Sequence, residues 1–447
     1  MPITTEGRNT LDAYVAAFGR LAAGRRAEPA WLRDARRRSL AALEWRGFPA
    51  PRDEDWRFTN VSAIVSRPFE LARPDGQPAT PLEELSVPGL GGALLVFVDG
   101  RHRPDLSRAD SGASGLEIGS LREAIAGSND LVARHLGRGV GLDERPFAAL
   151  NTAFFEDGAF LRVDAHAVIE EPVQIVFLST GSRPDSLSCP RVLVIAGPDS
   201  RLRLVETYLG SDGAAGLTTA VTEIVAEDGA VVDHHRLQRE SEEAFHIGLA
   251  QMHVGRNASV SSHAISLGGR IARHDAVAVL EGEGADCTLN GLYLADGSRL
   301  VDNHTEIDHA KPHGTSHELY KGILDGRARG VFNGRIRVRP DAQKTDAKQT
   351  NRTLILSDEA QINTTPRLEI LANDVKCTHG ATVGQLSDEA LFYLQTRGIG
   401  KADARAMLIR AFAMEVTSRI RVAPLREELD RLLAAKLGGQ ATGGALS

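Results

Sequence analysis

The feature that most constrains this chain is a short turn that keeps returning. Gly197-Pro198-Asp199-Ser200-Arg201-Leu202, Glu227-Asp228-Gly229-Ala230-Val231-Val232, Gly255-Arg256-Asn257-Ala258-Ser259-Val260 and Gly282-Glu283-Gly284-Ala285-Asp286-Cys287 share one shape and recur every 27 to 30 residues. Each is a polar or glycine corner, then a small residue, then an alternating strand. Two later copies, Arg339-Pro340-Asp341-Ala342-Gln343 and Ser357-Asp358-Glu359-Ala360-Gln361, follow more closely. A fixed period of this length marks a unit that cannot bury its apolar face alone and must stack on its neighbours. Strand-like runs fill the intervals at 174–178, 191–195, 202–206, 221–226, 276–280 and 335–338.

No long helical pattern separates these runs. A doubly wound sheet needs a crossover helix between neighbouring strands, so that architecture is disfavoured. A β-sandwich stays open as an alternative, but a stacked β-helix accounts for the period. Aromatic residues are only 5% of the chain, so the inner ladders must be built from Val, Ile, Leu and Ala. The end of such a stack leaves an unpaired strand edge, which invites capping or pairing by a second chain.

Helical patterns flank the repeat. Residues 1–92 read as a helical region and linker, with Leu11, Tyr14, Val15, Phe18 and Leu21 at helical spacing and a second helix over 31–46. Within it, Arg36-Arg37-Arg38 reads as a solvated helix face, with an acidic partner as the alternative. Residues 47–59 form a proline-bounded loop around Trp56, and 70–92 read as linker. Residues 93–157 are a mixed connecting region, and 158–385 are the β-helix core. Residues 386–437 are a helical domain, whose longer helix puts Ala404, Met407, Leu408, Ala411, Phe412, Glu415 and Val416 on or near one face. Residues 438–447 read as a disordered tail.

The net charge of −7 gives no support to nucleic-acid or anionic-membrane binding. No apolar run approaches the roughly 18 residues a membrane span needs. Met1-Pro2-Ile3-Thr4-Thr5-Glu6 lacks the basic and apolar regions of a secretory signal. Cys189, Cys287 and Cys377 are an odd, scattered set, which suits reduced thiols and a cytoplasmic location.

The chemistry-bearing candidates lie near the end of the repeat. Cys377 and His379 stand two residues apart and share a face on an extended strand. Thiolate and imidazole together suit iron or zinc, but two ligands leave a site for another chain or exogenous sulfide to complete. His304, His309, His313 and His317 fall close together; Pro312 and Gly314 argue against a helix there. On an extended chain His309, His313 and His317 share a face, as a metal or partner site or as ordinary strand histidines. His234, His235, His263 and His274 read as structural. No P-loop, nucleophile elbow, Cys-x-x-Cys pair or dinucleotide fingerprint is present.

The motifs of the second half resemble the SufB/SufD family of iron–sulfur cluster assembly scaffolds. They are Leu319-Tyr320-Lys321-Gly322, Arg327-Ala328-Arg329-Gly330-Val331-Phe332-Asn333-Gly334, Ala342-Gln343-Lys344-Thr345-Asp346-Ala347, Lys376-Cys377-Thr378-His379-Gly380-Ala381-Thr382-Val383-Gly384, and Arg397-Gly398-Ile399. Asp53-Glu54-Asp55-Trp56-Arg57 and Leu289-Asn290-Gly291-Leu292-Tyr293-Leu294 extend the resemblance over most of the chain. The Cys-x-His-Gly form is similar to the SufD branch rather than the SufB branch. Gly314 stands where many members carry a cysteine after Pro-His.

The resemblance implies a mainly β fold, a right-handed parallel β-helix flanked by N- and C-terminal helical regions. It implies a heterodimer with a SufB homologue, or a homodimer in isolation, and a SufC-type ABC ATPase on the C-terminal helices. It implies a scaffold rather than an enzyme, with ATP hydrolysis in the partner and sulfur arriving through relay proteins. His379, with Cys377 beside it, would help hold ferrous iron or a nascent iron–sulfur cluster at the interface. Reduced FAD is associated with the complex, with no residues assigned to it here. The competing expectations are a β-helix carbohydrate-active enzyme and a purely structural β-helix module.

Overall fold

In the computed structural model, which describes residues 5–73, 85–109, 112–127 and 129–443, the chain winds through two parallel sheets packed face to face. The first sheet stacks Ala159–Val163, Arg191–Ala196, Leu217–Ala226, Phe245–Val254, Ile271–Leu280, Leu300–His309, Arg329–Val338 and Gln361–Ile370. The second stacks Leu94–Val98, Val173–Ser179, Arg201–Gly210, Val231–Arg239, Ser259–Ser266, Asp286–Ala295, Thr315–Leu324, Asp346–Ile355 and Lys376–Gly384. Successive strands of the repeat alternate between sheets, so two strands make one rung. Register follows the period: Leu217 lies beside Phe245, Phe245 beside Ile271, Ile271 beside Leu300, and Leu300 beside Arg329. The stacked β-helix expected from the period is therefore the fold. The second sheet already takes in Leu94–Val98, ahead of the expected start of the core at residue 158.

The recurring corners explain the period physically. Asp199, Gly229, Asn257, Gly284, His313 and Lys344 occupy equivalent left-handed positions, with φ between 54° and 73°. Gly, Asn and Asp are the residues that adopt this conformation most readily. Each corner N–H donates to a carbonyl of the next rung: Asp199 to Asp228, Gly229 to Arg256, Asn257 to Glu283, Gly284 to Pro312, His313 to Gln343, and Lys344 to Asp374. The corners thus run down the stack as a hydrogen-bonded seam.

Alternation sorts the side chains. The inner faces meet as a ladder that includes Leu95, Ile175, Val194, Leu204, Ile224, Val232, Met252, Val260, Ala278 and Ile307. Farther along, the interior turns polar. Glu206 accepts from the hydroxyls of Tyr208 and Thr222 and contacts His234, while Glu240 pairs with His246. The family-like Gly-Tyr motifs interlock across this interior. Gly291 lies beside Tyr320 and Tyr293 beside Gly322, and a Cβ at Gly322 would sit 2.3 Å from the Tyr293 ring.

Both outer faces are covered, as parallel sheets require. Helices α1 (Thr5–Gly24), α2 (Ala30–Arg46), α3 (Ser62–Val65), α4 (Leu121–Ala126), α5 (Asp130–His135) and α6 (Pro146–Phe154) lie on the first-sheet side, burying Phe245, Ile247, Ile271 and Leu300. Trp56 is buried there, with Arg273 stacked 3.8 Å over its ring. The arginine run is not simply a solvated face. Arg36 is buried, pairs with Glu28 at 3.0 Å and donates to the carbonyls of Thr152, Ala153 and Phe155; Arg37 remains exposed beside Asp34.

After the last strand come α7 (Asp388–Thr396), α8 (Lys401–Thr417) and α9 (Ala423–Gly443). Ile409, Ala413, Val416, Leu425, Leu429 and Leu433 pack on Leu237, Ile265, Leu292 and Ile323 of the second sheet. Met407, expected on the packed face, is exposed instead. The last helix runs to Gly443, past the expected end of the helical domain at residue 437; residues 444–447, like 74–84 of the linker, lie outside the described residues. Among the described residues no helix is long and apolar enough to cross a membrane.

Candidate functional site

The stack is blunted at its first end and bare at its last. Short antiparallel strands, Leu116–Ser120 and Arg101–His102, finish the two sheets at the start. At the other end Gln361–Ile370 and Lys376–Gly384 each pair on one side only, with Arg329–Val338 and Asp346–Ile355. Neither terminal strand contains a fully buried residue, because no further rung covers the mouth of the interior.

Cys377 and His379 belong to this rung, in register beside Ala347 and Gln349. Ala347 and Gln349 are buried interior positions, so strand alternation gives the thiol and the imidazole the interior-facing phase. The two candidates are brought together as their spacing predicted. They differ in environment. Cys377 is half-buried against the small cluster of Ile336, Val338, Ala342, Ala347 and Ala372. Burial, followed by the charge of Asp346, raises its thiol above the ordinary range, against a smaller opposing effect of the Ala347 backbone. Such a thiol stays protonated until a metal displaces the proton. His379 is exposed. A Cβ on Gly380 or Gly384 would meet nothing within 4 Å, so the outer edge is clear for another backbone.

Behind His379 the interior is polar. Gln349 donates to Glu318 at 2.9 Å, and Glu318 accepts from the Thr305 hydroxyl at 2.5 Å. Burial raises the Glu318 carboxyl to about 7, beyond what hydrogen bonds from Thr305 and Gln349 recover. Asn351 donates to Thr364 at 2.9 Å. The mouth therefore presents an imidazole and a thiol backed by amide, hydroxyl and carboxyl groups.

The other histidine candidates separate. His309 faces the interior, fully buried, with Nε2 2.9 Å from the Ser316 hydroxyl and its pKa pushed down to about 4 by burial. His313 is a corner residue at φ 59°, exposed at the rim. His317 lies on the Thr315–Leu324 strand in the outward phase, between the buried Ser316 and Glu318. The corner reverses the chain between His309 and His317, so the shared extended face expected for the three does not form. Gly314 packs under His309; a Cβ there would lie 2.8 Å from Nδ1. Cys189 and Cys287 are buried structural thiols, the former pushed up to about 12 by burial.

Away from the mouth, the outer side of the C-terminal helices exposes Phe392, Tyr393, Met407 and Met414. The sequence pattern concealed part of this patch because Met407 falls within an apparent core stripe.

Comparison with known proteins places the chain in one family. A family model described as SUF system FeS cluster assembly, SufBD core domain, matches residues 177–412, and one described as the SufBD protein N-terminal region matches 14–175. An iron–sulfur cluster assembly SufBD family protein of Synechocystis is 31% identical over 87% of each chain. The iron–sulfur cluster assembly protein SufD of Escherichia coli is 29% identical over 89% of this chain and 90% of its own. SufD of Bacillus subtilis is 25% identical over 92% and 95%.

Proposed function

Because the chain belongs to the SufBD family of the SUF iron–sulfur cluster assembly system, we propose that it is a scaffold subunit whose bare last rung pairs with a SufB-type chain and helps hold a nascent cluster there. The carrying observation is His379, exposed in the interior-facing phase of a strand with one free edge. A neutral imidazole is a ready ligand for iron, which here is cargo. Cys377 is the auxiliary ligand, since it must first lose a proton from a thiol that burial holds protonated. The partner supplies the remaining ligands through strand addition at the mouth.

The exposed Phe392, Tyr393, Met407 and Met414 form the docking patch for a SufC-type ABC ATPase, whose nucleotide hydrolysis would move the two scaffolds. The chain itself does no catalysis in this scheme. Sulfur reaches the mouth from relay proteins, and ferrous iron or the cluster is shared with the partner. Reduced FAD is left to the assembled complex, with no residues of this chain assigned to it. Family membership supports this reading over the carbohydrate-active enzyme.

The test is a His379→Ala chain co-expressed with its partners. The complex should assemble normally while anaerobic cluster formation falls by at least about tenfold, and Cys377→Ala should lose less. Full cluster formation by His379→Ala would remove the ligand assignment. Loss of the co-purifying ATPase only when Phe392 and Tyr393 are replaced by Ser would support the docking patch.

A further inference from the structure

We propose that Asp233, His235 and His263 form a second metal site, for a divalent first-row transition ion such as zinc or ferrous iron, beneath the C-terminal helices. These residues face away from the interior, on the outer side of the second sheet. His235 and His263 are register partners in adjacent rungs, and their rings stack with centroids 4.9 Å apart. Asp233 precedes His235 by two residues and shares its face. Its oxygens lie 3.3 Å from His235 Nε2 and 3.7 Å from His263 Nε2. One ligand atom from each residue lies within 4.8 Å of the other two, the only such trio among the described residues.

Burial makes the arrangement pointed. Asp233, His235 and His263 are 7%, 1% and 3% exposed. Neither ring nitrogen of His235 makes a hydrogen bond of acceptable geometry, and Asp233 Oδ2 is likewise without one. Buried polar atoms are ordinarily satisfied, so His235 Nε2 and Asp233 Oδ2, 3.3 Å apart and each without a hydrogen bond of good geometry, are unused ligand capacity. Two imidazoles and a carboxylate are also the donor set that zinc and non-haem ferrous sites use. The Asn290 side-chain amide nitrogen lies 3.4 Å from His263 Nδ1 and fixes the orientation of that ring.

The opposing charges come from the segment joining α8 to α9. Arg419 reaches Asn290 Oδ1 at 3.4 Å, and Arg421 acts electrostatically on Asp233. Both cations resist a second positive charge. Affinity must therefore come from ligand geometry, and removing Arg421, which is exposed, should strengthen binding.

The site is distinct from the mouth, so it is tested in a Cys377→Ala/His379→Ala full-length background. Cobalt(II) alone, then zinc(II) in competition, is titrated into metal-free protein and followed by visible absorption and calorimetry. One equivalent should bind with ligand-field bands, displaced by zinc. Asp233→Asn and His263→Gln, with circular dichroism unchanged, should each weaken binding by at least about tenfold, and Arg421→Gln should tighten it several-fold. Absence of a stoichiometric cobalt signal, equal affinity in the folded ligand variants, or weaker binding by Arg421→Gln would each overturn the site.

Discussion

The middle rungs and the last rung share one alternating design, yet they meet opposite fates. In Asp286–Ala295 and Thr315–Leu324 almost every residue is buried; in Lys376–Gly384 none is. Residue type does not explain this. Cys287 and Cys377 occupy the same column, with Ser316 and Ala347 between them, and only the first is fully enclosed. In a solenoid, burial is supplied by the next rung. The chain therefore exposes chemistry where the stack stops, and a histidine that would be structural in the middle is available at the end.

The largest effect expected comes from overfilling the middle. Gly322→Val must displace the Tyr293 ring, which has no space to yield, and should destabilise by about 3 kcal/mol or more in urea unfolding. A change below about 1 kcal/mol would mean the interior is looser than its packing indicates. Next comes a pH effect confined to the enclosed rungs. The unfolded Glu318 carboxyl ionises near 4.5 and the folded one near about 7. Between those values the folded state holds the extra proton, so stability from this group falls as pH rises through the window and is flat below it. The total is on the order of 3 kcal/mol, and Glu318→Gln should remove the slope. An unchanged slope in that variant would place the titration elsewhere.

A paired substitution sharpens the comparison at smaller scale. His234 and His379 share a column, through Ser262, Leu289, Glu318 and Gln349. His234 is enclosed, 3.0 Å from the Ser262 hydroxyl and 3.1 Å from Glu206. His234→Ala should cost about 2 kcal/mol, whereas His379→Ala should stay within about 0.5 kcal/mol. Equal costs for the two would show that the mouth is sealed in solution.

The stack itself was legible because its corners need residues tolerant of left-handed backbone, and those residues recur at the rung period. The pairing of Cys377 with His379 was legible for a local reason, since strand alternation acts over two residues. Contacts between rungs were not. His235 and His263 are 28 residues apart in sequence, one rung of the stack, and register makes them neighbours; that offset was the available signal, and reading each histidine alone missed it. His309, His313 and His317 failed for the converse reason, because proximity in sequence is undone by a corner. Arg36 was misplaced because helical periodicity cannot reveal that carbonyls at 152, 153 and 155 await a donor.

The unequal ends carry a consequence for size. One end is finished by the short antiparallel strands Leu116–Ser120 and Arg101–His102, so a long parallel strand edge is presented at a single tip. Two such bodies joined tip to tip would leave no long parallel edge for a third. Head-to-tail polymerisation into fibres, the ordinary hazard of a long parallel stack, is thereby disfavoured, because the two ends do not match.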